Sequence, residues 1–298
     1  MLLTAEKFAS RLSYAWRTFA LRRKPPYLFG LVISERCNLD CYYCTSKNPV
    51  EYHCSFDQAR EALARAYGRG HRALYFTGGE PLLWTDSGRG LGDLVSYARE
   101  LGFHDVFIFT NGTLPLAIPR CHYIVTVDGP KELHDRIRGG TFDLIMDNAR
   151  RAATKAVFAT MTFTRHNADY AERFVREISA LGLFRGISFN LLTHGPRIVA
   201  EHGVNAEERI ALLDRLWSLK RAGYPIVLSR AAYLALRRND WERPISQIEL
   251  GTNKKVFTCC RDVGTSVCDH CGYPFCVEVS QMLALKPSAL WQELRMVD

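Results

Sequence analysis

From Tyr27 onward, short apolar runs rich in Val, Ile, Phe and Tyr alternate with helical stretches, an order that few folds accept. Strands are predicted at Leu28–Ser34, Ala73–Thr77, Val106–Thr110, Tyr123–Val127, Val157–Thr164 and Gly186–Leu192. These runs lack polar alternation, as strands buried on both faces do. Helices are predicted at Phe56–Tyr67, Leu91–Leu101, Phe142–Ala153 and Tyr170–Leu181. Repeated strand–helix units with short loops require a parallel sheet with helices outside it. Six strands make a partial (β/α)6 barrel, an α/β fold short of the closed eight-stranded form.

The chain has 298 residues, 47% of them hydrophobic and 23% charged, enough to bury a sizeable core. Its net charge of +8 suits an anionic substrate, a membrane surface or RNA. No basic run with interleaved aromatics marks a nucleic-acid site, so nucleic acid is not an expected partner. Residues 4–24 read as an amphipathic helix with Phe8, Leu12, Trp16 and Phe19 on one face and Lys7, Arg11, Arg17, Arg22 and Arg23 as its basic side. Pro25 and Pro26 end it. Packing on the main domain is its expected role, with peripheral membrane contact as the alternative. The basic residues interrupt any signal-peptide core, and no apolar run approaches the ~20 residues of a membrane span. A cytoplasmic location is expected, where cysteines serve as ligands or buried thiols rather than disulfides.

The chain thus divides into an N-terminal helix (1–26), a barrel (27–196) and a C-terminal extension (197–298). In the extension a helix is predicted at Asn205–Ala222 and a short strand at Ile226–Ser229, followed by sequence without clear periodicity. Its thin apolar content is expected to be organised around a metal centre.

Eight of the ten cysteines fall into two groups, while Cys54 and Cys121 stand alone and read as plain thiols. The first group lies in ISERCNLDCYYCTSKN, where Cys37, Cys41 and Cys44 follow the first strand. Thiolates select zinc, copper(I) or iron–sulfur clusters, and structural zinc wants four ligands. Three thiols leave one iron of a four-iron cluster free for a non-protein ligand. The loop also falls at a strand's carboxyl end, where parallel barrels place their active sites.

CNLDCYYC resembles the CxxxCxΦC signature of the radical S-adenosylmethionine (SAM) enzymes, with Tyr43 as the aromatic. YFTGGEPLL follows the second strand with Gly78, Gly79, Glu80 and Pro81, resembling the family segment that holds the SAM amino group. Its glycines admit a ligand close to the backbone, and Glu80 can accept from an ammonium. FTNGTL after the third strand and TVDGPKELHDRIRGG after the fourth match by order. The resemblance implies that Asn111 and Asp128 lie near the SAM ribose and carboxylate, and that Thr162, Thr164, Arg165 and Asn190 sit at SAM-contacting positions. It covers roughly Tyr27 to His194 and implies a SAM-binding [4Fe-4S] cluster, SAM itself and an external electron donor such as flavodoxin or ferredoxin.

The second group, VFTCCRDVGTSVCDHCGYPFCVE, places Cys259, Cys260, Cys268, Cys271 and Cys276 in the extension. Alone it would read as a zinc ribbon. It resembles a shortened auxiliary-cluster extension of SPASM or twitch type, implying a second [4Fe-4S] cluster with one of Cys259 and Cys260 spare. The resemblance implies a 5′-deoxyadenosyl radical that abstracts hydrogen from, or adds to, a small-metabolite or lipid substrate. Modification of a peptide or protein is the alternative, and a non-catalytic iron–sulfur or zinc protein is the alternative of another class.

Overall fold

A computed structural model describes residues 16, 25–44, 52–193, 195–252 and 255–297. The N-terminal amphipathic helix, apart from Trp16, and His194 lie outside them. Six parallel strands follow the chain in order: β1 (Leu28–Ser34), β2 (Ala73–Gly78), β3 (Asp105–Thr110), β4 (His122–Thr126), β5 (Val157–Phe163) and β6 (Gly186–Leu191). Each pairs with the next, as Leu28 with Ala73 and Tyr123 with Val157. Helices α1 (Phe56–Arg69), α2 (Leu91–Leu101), α3 (Lys131–Arg138), α4 (Phe142–Arg150) and α5 (Ala171–Ala180) lie in the connections, except that β3 runs to β4 without one. The partial (β/α)6 barrel read from the sequence is therefore the fold.

Local chemistry sets these boundaries. Ser55 and Gln58 cap α1 reciprocally, and Gly70 ends it in a left-handed conformation. Between sheet and helices runs one apolar layer that includes Leu63, Phe76, Ile108, Val125, Met161 and Phe174, all buried. A second set, Phe107, Ile124, Phe158 and Val227, packs on the opposite face, inside the barrel.

The chain continues into α6 (Pro196–His202), α7 (Ala206–Arg221) and α8 (Arg230–Arg238), then β7 (Ile248–Thr252), β8 (Lys255–Thr258), α9 (Pro274–Leu283) and α10 (Pro287–Val297). In place of the strand expected at Ile226–Ser229 there is a single parallel bridge from Ile226 to Ile187. Ser229 instead caps α8, accepting from the Ala232 amide. The region without clear periodicity holds two strands that extend the main sheet. β7 lies parallel beside β1, and β8 returns antiparallel to it. At the other edge Leu191 of β6 donates its amide to Gly272 at 3.0 Å. The post-barrel segment thus touches both open edges of the sheet. No helix among the described residues is long and apolar enough to cross a membrane.

Candidate active site

The three clustered thiols of the first group lie on the loop that leaves β1. Cys41 is buried, Cys44 half-buried and Cys37 exposed. The loop is clasped to the turn after β2 by main-chain bonds from Gly79 to Ser34 (2.8 Å) and from Glu80 to Arg36 (2.7 Å). Both glycines are required by this approach. A Cβ on Gly78 would stand 2.0 Å from the Ser34 carbonyl oxygen, and one on Gly79 2.1 Å from that of Arg36. The neighbour that the glycines admit so closely is the cysteine loop itself.

Glu80, expected to face an ammonium, is fully buried and engaged by the protein. Oε1 accepts from the Leu82 amide (2.9 Å) and the Thr110 hydroxyl (2.7 Å), and Oε2 from the Asn111 amide (2.6 Å). Burial raises its pKa against these three donors. The side chain fastens the ends of β2 and β3 together. Asn111 carries the clasp onward, since Nδ2 donates to Asn38 Oδ1 at 2.9 Å and lies 3.8 Å from the Cys37 sulfur. Asn38 donates to the Thr113 hydroxyl at 2.8 Å.

The other side of the loop is held by buried charge. Tyr43 donates its hydroxyl to Asp128 Oδ2, which also accepts from Arg138 Nε at 2.6 Å. Arg138 reaches the Tyr43 oxygen as well, at 2.6 Å. Oδ1 of Asp128 accepts from the Thr162 amide at 3.2 Å. Desolvation works against the Arg138 charge, but the Asp128 carboxylate outweighs it and holds the guanidinium well above its ordinary range. Asn167 joins the loops after β4 and β5, donating to the carbonyls of Asp128 (3.3 Å) and Thr162 (2.9 Å) and accepting from the Thr164 amide (2.7 Å). The Tyr42 and Thr164 hydroxyls bond at 2.8 Å.

Of the residues singled out from sequence, the structure brings together Cys37, Cys41, Cys44, Tyr43, Gly78, Gly79, Glu80, Asn111, Asp128, Thr162 and Thr164. Pro81 opens a 3₁₀ turn at Pro81–Leu83. Arg165 is turned to the end of α6, where it donates to the carbonyls of Ala200 (3.3 Å) and Gly203 (3.2 Å). Asn190 lies in the wall of a cavity instead. Sequence reasoning missed the exposed Asn38 and the buried Thr113, Arg138, His134 and Asn167, each a polar residue beside a motif.

The cavity fills the barrel interior with about 280 Å³ and is lined chiefly by apolar side chains, Val32, Phe107, Phe109, Ile124 and Phe158 among them. Cys259, Cys260 and Cys276 also line it. The Cys260 thiol lowers the pKa of Cys259, but Cys276 and burial push it up to about 12. Burial likewise pushes Cys271 up to about 12, helped by Cys259 and Cys260. These four thiols act on one another, and the Cys268 sulfur stands 3.7 Å from the Asp262 carbonyl.

Among the described residues no three Cys, His, Asp or Glu side chains converge as ligands of a single metal ion. The first group is suited to a cluster instead, because a four-iron cluster spreads its thiolates over separate irons. Its three thiols act on one another: burial, then Asp128, Cys44 and Cys37, push Cys41 up toward about 11 against Arg138. Such thiols stay protonated until a metal displaces the proton.

A partial parallel barrel with a three-thiol loop at its strand carboxyl ends defines an α/β barrel protein built to hold a soft-metal cofactor there. A model of the radical SAM superfamily matches residues 31–178. A probable GTP 3′,8-cyclase of Methanococcus maripaludis is 35% identical over 89 residues, 29% of each chain. The GTP 3′,8-cyclase of Limosilactobacillus fermentum is 29% identical over 136 residues, 41% of this chain and 40% of its own. The match thus spans less than half the length of these curated relatives. SuiB of Streptococcus suis, solved with bound S-adenosylmethionine, superposes with a TM-score of 0.66 at 12% identity, over 89% of this chain and 68% of its own. SuiB has also been solved with the precursor peptide SuiA. The chain belongs to the radical SAM superfamily, enzymes that use a [4Fe-4S] cluster and SAM.

Proposed function

We propose that this chain cleaves SAM reductively and directs the resulting radical onto a small apolar metabolite or lipid. One observation carries the reading. Three thiols, fixed by main-chain bonds to the glycine turn after β2, stand at the carboxyl ends of strands that line an apolar cavity. Cys37, Cys41 and Cys44 would hold the cluster. A cluster held there, with SAM bound, would supply the reductive bond cleavage and hydrogen-abstraction chemistry.

The chain's own residues provide position and dryness. Glu80, Asn111 and Asn38 fix one flank of the cysteine loop, and Tyr43, Asp128 and Arg138 fix the other. Glu80 and Asp128 hold loops, and each keeps one oxygen with a single protein donor, Oε2 of Glu80 and Oδ1 of Asp128. The aromatic walls keep water from a reactive carbon. Cys259, Cys260, Cys268, Cys271 and Cys276 are the candidates for an auxiliary cluster. An external electron donor completes the reaction.

The cavity of about 280 Å³ falls just below the ~300–1,000 Å³ range of small-ligand pockets, which supports a small molecule over a peptide segment. Anaerobic incubation with SAM and dithionite tests the proposal. Release of 5′-deoxyadenosine should rise when a low-mass or lipid fraction is added. Stimulation confined to a peptide fraction would move the substrate to the peptide class, and no release at all would sink the reaction.

A further inference from the structure

Gly30 stands in the middle of β1, where a glycine weakens a strand and marks a close approach. The neighbour that needs the space is Tyr75. The two are register partners on β1 and β2, and a Cβ on Gly30 would stand 2.2 Å from Cζ of the Tyr75 ring and 2.4 Å from its oxygen. The ring therefore lies across β1, over the glycine, and is directed at the post-barrel strands. There Gly30 is also the register partner of Leu250 on β7, and the Cys259 amide donates to the Ile248 carbonyl of that strand at 2.7 Å. Tyr75 shares the cavity wall with Cys259, Cys260 and Cys276. Those thiols act on it: burial, then Cys276, Cys259 and Cys260, raises the phenol pKa, and Arg261 lowers it. Among the described residues the Tyr75 hydroxyl makes no hydrogen bond. A phenol keeps its proton at neutral pH, and one held inside a protein as a rule finds an acceptor.

We propose that Tyr75 donates its hydroxyl to a sulfur of an iron–sulfur cluster held by the post-barrel cysteines, and so raises the potential at which that cluster takes an electron. This assignment rests on the auxiliary cluster proposed above and adds the residue that tunes it. A neutral thiol is a weak acceptor, whereas a thiolate carries charge and accepts strongly. The reduced cluster holds one more negative charge than the oxidised one, so a donor facing its sulfurs stabilises the reduced form more. Hydrogen bonds to the sulfurs are among the levers that set such potentials. Gly30 belongs to the same device, since any side chain there would turn the phenol away from the cysteines.

Anaerobic reconstitution of the full chain carrying Cys37→Ala, Cys41→Ala and Cys44→Ala isolates the post-barrel cysteines. A redox titration followed by electron paramagnetic resonance compares it with the same chain carrying Tyr75→Phe as well, which keeps the ring and removes the donor. Both should bind the same iron. In the phenylalanine variant the equilibrium constant for reduction should fall roughly threefold to tenfold, the worth of one hydrogen bond. Should Tyr75→Phe not hold its iron, Gly30→Ala, whose methyl displaces the phenol, serves the same comparison. An equal or higher potential in the variant would overturn the role of Tyr75 and leave the auxiliary cluster standing. No iron in the triple alanine chain would overturn the auxiliary cluster, and the role of Tyr75 with it.

Discussion

Tyr43, Asp128 and Arg138 form a buried cluster in which one carboxylate oxygen serves a phenol and a guanidinium. Removing Arg138 would strand the Asp128 charge, and a broken buried ion pair costs about 3–5 kcal/mol. Arg138→Met is therefore expected to destabilise the metal-free chain by that amount in urea unfolding; a loss under about 1 kcal/mol would contradict the pairing. His134 accepts from the Asp128 amide at 3.2 Å, and burial lowers its pKa from 6.5 to about 4. Between those values the unfolded chain binds the proton and the folded chain resists it, so stability should fall as pH drops from 6.5 to about 4. The full effect is ~3 kcal/mol. Unfolding of wild type and His134→Gln at pH 7 and 4.5 checks it, and equal slopes for the two would refute the assignment. The cysteine triplet and GGEP were legible because their chemistry sits in consecutive residues. Arg138 was not, because its partners lie 10 residues back at Asp128 and 95 back at Tyr43.

At the scale of elements, the turn after β2 and the loop after β1 are one unit. Gly79→Ala would drive a methyl into the Arg36 carbonyl, breaking the bonds to Ser34 and Arg36. The variant should keep its far-UV circular dichroism yet lose at least half its reconstituted iron. Iron retained at the wild-type level would show that the clasp is dispensable. The six barrel strands read within a residue or two, since runs buried on both faces carry no polar interruption. α3 was missed because its buried side chains include His134 and Arg138, satisfied by polar partners, so no apolar stripe marks it. β7 was missed for a similar reason. Its Glu249 is held by Arg69 at 2.5 Å, and its Gly251 packs against Phe29.

At the scale of the whole molecule, the post-barrel segment joins the two edges of an open sheet and brings its cysteines into the barrel's interior wall. Its strands could not be read locally, because β7 gains its pairing from β1, more than two hundred residues earlier, and β8 pairs in turn with β7. That juxtaposition brings Cys259, Cys260 and Cys276 to one cavity wall, with Arg261 tied to Glu35 just ahead of Cys37. Iron and sulfide content with electron paramagnetic resonance, on reconstituted wild type and the Cys37→Ala/Cys41→Ala/Cys44→Ala variant, tests the central claim directly. About eight irons should fall to about four, with a SAM-sensitive signal lost, if each thiol group holds a four-iron cluster. The same iron content in both proteins, and a wild-type signal indifferent to SAM, would contradict the account.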